Sequence, residues 1–81
     1  MAKEIKSEAE IAALIEEEIK QFDVCAGVRV VVVRIADDGY TNWDVSEIIG
    51  KSGAPVLPDC KHVVMNTVIR LRNRYELVTD A

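Results

Sequence analysis

Four residues with metal-binding side chains are the first candidates for chemistry in this chain of 81 residues: Cys25, Asp59, Cys60 and His62. Thiolate, carboxylate and imidazole groups all bind zinc, but structural zinc sites commonly supply them from two short paired-ligand hairpins. Only one close group of such residues, 59–62, is present here. The spacing therefore does not predict a metal site, and we expect no cofactor.

Nucleophilic catalysis would need a serine or cysteine held beside a base. His62 is the single histidine of the sequence, and neither Ser46, Ser52 nor the two cysteines stand in a recognisable triad context. The spacing of His62 places it opposite the apolar stripe of its helix, as expected for a solvent-facing side chain. The sequence thus predicts a protein that is not an enzyme.

The segment Gly50-Lys51-Ser52 invites comparison with a phosphate-binding P-loop. That motif needs a glycine five residues before the second glycine and a helix directly after the serine or threonine. Position 45 is valine, and Pro55 opposes a helix in this place. We therefore do not expect a nucleotide-binding loop.

The six residues Ile48-Ile49-Gly50-Lys51-Ser52-Gly53 resemble the I-I-G-x-x-G loop of KH domains. In that family the GxxG turn lies between two short helices and clamps the backbone of four nucleotides. The resemblance implies binding of single-stranded RNA through Gly50, Lys51, Ser52 and Gly53, and RNA binding is the alternative function. The first interpretation is an ordinary connecting loop, because glycine and proline punctuate the whole segment 46–58.

Outside this segment, a capping box marks the start of the first helix. Ser7 and Glu10 have the spacing at which each side chain bonds the backbone N–H of the other residue. Apolar residues then recur at helical intervals, namely Ile11, Ile15, Ile19 and Phe22. The pattern predicts one amphipathic helix over about residues 7–22.

A β-branched run from Val28 to Ile35 predicts the first strand. Asp37-Asp38-Gly39 carries a tight-turn signal, so residues 40–45 are predicted to return antiparallel and to form a β-hairpin. Side-chain alternation assigns one face of this hairpin to Val28, Val30, Val32, Arg34, Thr41, Trp43 and Val45. We expect that face, with Trp43 in it, to be covered by helices.

The second half of the chain is predicted less completely. Residues 46–58 are compatible with a short edge strand or a single helical turn. Asp59 is predicted as the N-cap of a second helix, whose apolar residues recur every three or four positions: Cys60, Val64, Val68, Leu71, Tyr75 and Val78. The β-branched and aromatic residues at its end leave a terminal strand over 74–78 as an alternative.

This order of elements predicts one α+β domain over residues 1–81, a two-layer α-β-β-α sandwich with two helices on one face of a small antiparallel sheet. The other sheet face would carry an apolar strip that no helix of the chain covers: Val31, Val33, Ile35 and Tyr40. Monomeric proteins seldom expose such a strip. We therefore expect a homodimer and a function as a small self-associating interaction module, whose protein partner the sequence does not name.

Composition argues against two further classes of partner, nucleic acids and membranes. The net charge is −4, and residues 1–50 hold 5 Lys/Arg against 11 Asp/Glu, which opposes broad binding of nucleic acid. No apolar run is long enough for a membrane span, so we expect no membrane partner. The first residues lack the pattern of a secretory signal, which favours a cytoplasmic location. In that reducing compartment, Cys25 and Cys60 are expected as free thiols rather than a disulfide.

Overall fold

A computed structural model describes residues 3–37 and 39–78 of the chain. The elements in order are β1 (Glu4–Lys6), α1 (Glu8–Ile19), β2 (Arg29–Arg34), β3 (Trp43–Ile49), α2 (Pro58–Arg72) and β4 (Tyr75–Leu77). Two short 3₁₀ turns, Asp23–Cys25 and Lys51–Gly53, lie in the connections. The α+β class predicted from the sequence is confirmed.

The capping box at the start of α1 is confirmed. The backbone N–H of Glu10 donates to Ser7 Oγ at 3.2 Å, and the Ser7 N–H donates to Glu10 Oε1 at 3.1 Å. The bond from the Ser7 N–H favours the ionised carboxylate, which lowers the pKa of Glu10 below its ordinary value. The helix ends at Ile19, so Phe22, predicted to lie on it, stands outside with half of its surface exposed.

The predicted hairpin is also confirmed, because β2 and β3 pair antiparallel. The pairing runs from Arg34 opposite Trp43 to Arg29 opposite Ile49, and a bulge at Ser46 interrupts it. β3 therefore extends four residues beyond Val45 into the segment predicted to be irregular. The connection spans residues 35–42 and is longer than the predicted tight turn, of which Asp38 lies outside the described residues.

The second helix differs from the prediction at both ends. Its N-cap is Leu57, with no side-chain cap, and Pro58 occupies the first turn. Asp59 is therefore not the N-cap, since Pro58, with its fixed φ and missing N–H, is suited to the first helical position and the helix begins two residues earlier than predicted. The helix stops at Arg72, so Tyr75 and Val78 do not continue its apolar stripe.

The alternative of a terminal strand is confirmed for residues 75–77. β4 pairs in parallel with β1, with Glu4 opposite Tyr75 and Lys6 opposite Leu77. The sequence did not predict β1, because three residues are too few to show strand periodicity. This second, two-stranded sheet joins the beginning of the described chain to its end.

The hydrophobic core lies between the helices and one face of the hairpin. Trp43, Val30 and Val32 are buried there, as predicted, with the buried side chains of the helices. The helical residues in this core include Ile11, Ile15, Ile19, Val64, Val68 and Leu71. Of the described helices, neither combines the length and the apolar character needed to cross a membrane.

One prediction about the core is wrong. Cys25 and Cys60 form a disulfide, with their Cα atoms 5.1 Å apart, instead of two free thiols. The bond joins the 3₁₀ turn after α1 to the first turn of α2, and both residues are buried. The two cysteines are 35 positions apart in sequence, so only the packing of α1 against α2 brings them together.

Candidate interaction surface

The hairpin face that points away from the helices is the candidate interaction surface, and we call it the open hairpin face. The register places Arg29 opposite Ile49, Val31 opposite Glu47 and Val33 opposite Asp44 on it. Each apolar side chain on one strand therefore has a charged neighbour directly across the ladder. Side chains this close, about 5 Å between Cβ atoms, share one surface.

Burial differs sharply between the two hairpin faces. Val30 and Val32, on the covered face, keep only 6% of their surface exposed. On the open hairpin face, Val31 is 37% exposed and Ile49 41% exposed. Val33 is half-buried. The valine run is thus protected on one side only, by the helices of the same chain.

The structure brings three of the four predicted face residues together. Val31, Val33 and Ile35 follow one another at alternating positions of the same chain segment. Tyr40 lies apart from them in the connection between the strands, where its hydroxyl donates to Asn73 Oδ1 at 2.9 Å and the Lys3 ammonium lies over its ring. The phenol therefore contacts the end of α2 rather than the valines.

Two polar side chains close the end of the open hairpin face. Asp44 accepts a bond of 2.6 Å from the Arg72 guanidinium of α2, so its charge is compensated within the chain. Asn42 is buried and bonds Leu77 of β4 with its side-chain amide. Of the charged side chains on this face, Arg29 and Glu47 carry opposite signs and are both exposed.

Sequence reasoning missed Ile49 and Glu47 as members of this surface. The signal was present, since residues 47–49 keep the alternation of a strand. The bulge at Ser46 shifts that alternation by one residue. An alternation continued unchanged from residues 40–45 would therefore place Glu47 and Ile49 on the wrong face of the hairpin.

The loop Gly50, Lys51, Ser52 and Gly53 follows β3 directly, with a strand rather than a helix on its N-terminal side. A side chain at Gly50 would bring its Cβ to 1.9 Å from the carbonyl oxygen of Ala54, so this glycine permits a close approach of the chain to itself. The stem of Lys51 lies against Gly27 in the same way. Both residues therefore have structural partners within the chain.

The candidate zinc ligands Cys25, Asp59, Cys60 and His62 do not form a metal site in the structure. Both sulfur atoms are bonded to each other, so neither is a thiolate ligand. His62 is exposed on α2, beside Lys61 and Met65 in a shallow surface depression. Within residues 3–37 and 39–78, no group of three or more metal-ligating side chains comes together.

Comparisons with known proteins add no family or relative. No family model, curated protein or solved structure matches the chain.

Proposed function

We propose that this chain is a small interaction module that associates with a second copy of itself through its β2–β3 hairpin. The supporting observation is the exposure of the open hairpin face, where Val31 and Ile49 remain accessible while the reverse face is covered. A domain of this size buries only about 60% of the surface of its unfolded chain. Association would supply the burial that such a domain lacks.

Charge supports a second copy as the partner. The chain as a whole is acidic, and two copies repel each other at long range. On the open hairpin face, however, Arg29 and Glu47 offset each other, and Asp44 is paired with Arg72. This face is therefore close to neutral, and it is the part of the hairpin where a second copy approaches without net repulsion.

A pair of matched substitutions tests this proposal. Val31→Lys places an ammonium group on the open hairpin face, and Val24→Lys places one on the 3₁₀ turn after α1. The two valines are equally exposed, at 37% and 36%. Because a charged group loses its hydration on burial in an apolar contact, we expect Val31→Lys to weaken dimerisation about tenfold or more. Val24→Lys should leave the dimer unchanged.

Analytical ultracentrifugation of both variants, with circular dichroism to verify folding, provides the measurement. Equal dissociation constants for the folded variants would contradict a role for the open hairpin face.

The location of the protein belongs to the same proposal. The sequence pattern predicts a cytoplasmic location, whereas disulfides persist mainly in oxidising compartments. The redox state of Cys25 and Cys60 in cells decides between these expectations. Alkylation of thiols in acid-quenched cells should leave both cysteines unmodified if the disulfide persists, and it should label both if the compartment keeps them reduced.

RNA binding is not part of this proposal. Lys51 is the single cation of residues 50–53, and the contacts of Gly50 and Lys51 are with the chain itself. The 50 residues that lead into the loop carry a net negative charge, which opposes the approach of RNA phosphates.

A further inference from the structure

We infer that the second copy adds to the outer edge of β2, so that the β2 strands of two copies pair antiparallel and the two hairpins form one four-stranded sheet. This inference rests on the proposed function and specifies its geometry, because pairing of the β2 edges sets Val31 of one copy beside Val33 of the other and continues the open hairpin face across both copies. The two edges of the hairpin differ, and that difference carries the argument.

From Trp43 to Val45, the outer edge of β3 is capped by side chains of the chain itself. The outward N–H of Trp43 donates to Thr41 Oγ1 at 3.3 Å, and the N–H of Val45 donates to Asp44 Oδ1 at 2.8 Å. The bulge at Ser46 follows immediately. Natural sheets protect their edges against pairing by bulges and local caps of this kind.

The outer edge of β2 has a different character. Ile35 donates its N–H to the carbonyl of Asn42 in the hairpin, so the backbone groups of Val30, Val32 and Arg34 point the other way, out of the sheet. Val30 confirms this direction, because its N–H donates to Glu16 Oε2 of α1 at 3.1 Å. Among the described residues, the outward backbone groups of Val32 and Arg34 have no hydrogen-bond partner.

There is room for a strand where this edge begins. A groove of about 470 Å³ separates α1 from the beginning of β2, with Glu16, Glu17 and Lys20 on the helix side and Gly27 to Arg29 on the strand side. Glu17 pairs with Lys20 at 2.8 Å, so Glu16 is the groove carboxylate that is available to an incoming chain.

The sequence of β2 is compatible with pairing to itself. A two-fold axis at Val32 sets Val32 opposite its own copy, Val30 opposite Arg34 and Val31 opposite Val33. No like charges face each other in this register, and the valine pairs are of the kind that stabilises antiparallel strands. The interface is isologous, as a closed dimer requires.

Charge complementarity favours the same register. It brings Arg34 of the second copy to the Val30 end of the edge, next to the Glu16 carboxylate in the groove. In the monomer, the Arg34 guanidinium donates to the Val78 carbonyl at 2.5 Å. When the strands pair, Glu16 releases the Val30 N–H to the carbonyl of Arg34 in the second copy, and the guanidinium of that Arg34 leaves Val78 to bond Glu16. Glu16 thus caps the edge in the monomer and holds the partner in the dimer.

Amide hydrogen exchange, measured by NMR at low and high protein concentration, tests the inference. We expect the amides of Val32 and Arg34 to exchange rapidly in the dilute protein and to gain at least about tenfold protection, a change of 1.4 kcal/mol, as the dimer forms. The amides of Val31 and Val33 bond to β3 and serve as internal controls, which should be protected at both concentrations.

The pair Arg34→Pro and Arg34→Ala supplies a matched variant test. Both remove the guanidinium, but only proline also removes the outward N–H, and it does so without breaking a hairpin bond. We expect Arg34→Pro to dissociate the dimer further than Arg34→Ala does, with intrinsic Trp43 fluorescence reporting the fold of each.

The outcomes separate the two proposals. A dimer that forms without added protection at Val32 and Arg34, or equal dissociation of the two folded variants, overturns edge pairing and leaves association through the face in place. A protein that stays monomeric at every concentration overturns both.

Discussion

Asn42 shows how a single side chain extends a sheet in a chain with few strands. Its amide accepts the Leu77 N–H at 2.9 Å and donates to the Leu77 carbonyl at 3.1 Å, which are the two bonds that a neighbouring strand would supply. The indole N–H of Trp43 donates to the Tyr75 carbonyl at 3.0 Å along the same edge. β4 is therefore held between β1 and two side chains of the hairpin.

Trp43 is the residue on which the core depends most. It is fully buried and also holds β4, so Trp43→Ala should lower the free energy of unfolding by about 3–5 kcal/mol. That loss approaches the whole stability of a small domain. Trp43→Phe keeps an aromatic ring and loses only the indole bond and part of the volume, so its cost should be smaller.

Urea denaturation followed by circular dichroism measures both Trp43 variants. An alanine variant that melts cooperatively near the wild-type midpoint would show that Trp43 is not central to the core.

Single residues were predictable where their chemistry is local. Ser7 and Glu10 are three positions apart, and the capping box they form needs nothing from the rest of the chain. Trp43 was assigned to the core from strand alternation alone. The partnership of Asn42 with Leu77 was not predictable, because 35 residues separate them and the amide has no periodic signal.

At the scale of elements, the helices and the hairpin were predictable from periodicity, whereas β1 and the bulge were not. A strand of three residues is too short to show the two-residue alternation of side chains, and a bulge adds one residue that no residue type marks in the sequence. The disulfide was mispredicted from the expected compartment. Its formation depends on how α1 and α2 pack, a tertiary feature that cysteine spacing does not encode.

The disulfide stabilises the contact between the turn after α1 and the start of α2. It closes a loop with a sequence separation of 35 residues. Closure of a loop of this length restricts the unfolded chain, which corresponds to about 4 kcal/mol in the chain-entropy estimate. We therefore expect reduction to lower the free energy of unfolding by up to that amount.

Urea titration with and without a phosphine reductant measures the effect of the disulfide. The Cys25→Ala, Cys60→Ala double variant is the control and should not respond to the reductant. A wild-type midpoint that is the same in both conditions would show that the bond does not contribute.

The loop at residues 50–53 has its own test, because it carried the resemblance to KH domains. Ser52 already has a positive φ of 54°, which aspartate tolerates better than most residues, so the Lys51→Asp, Ser52→Asp variant should keep the fold. We expect no salt-dependent binding of mixed single-stranded RNA by the wild type, and no change in the variant. Tight wild-type binding that the variant abolishes would establish the RNA-binding alternative.

At the scale of the whole molecule, a short valine-rich hairpin is covered on one face by two helices and left open on the other. The open face was predictable in part, through Val31, Val33 and Ile35, because alternation assigns faces without knowledge of the fold. Its far end, Ile49, was concealed by the bulge. The difference between the two hairpin edges was not predictable, since the caps at Trp43, Val45 and Val30 are tertiary or turn-specific bonds.

Sedimentation equilibrium of the wild-type protein, from low to high micromolar concentration, tests the central claim most directly. We expect the apparent mass to rise from that of one 9.0 kDa chain toward twice that value, and Val33→Lys to shift the equilibrium back toward the monomer. A wild-type protein that sediments as a single chain throughout this range would contradict self-association through the hairpin.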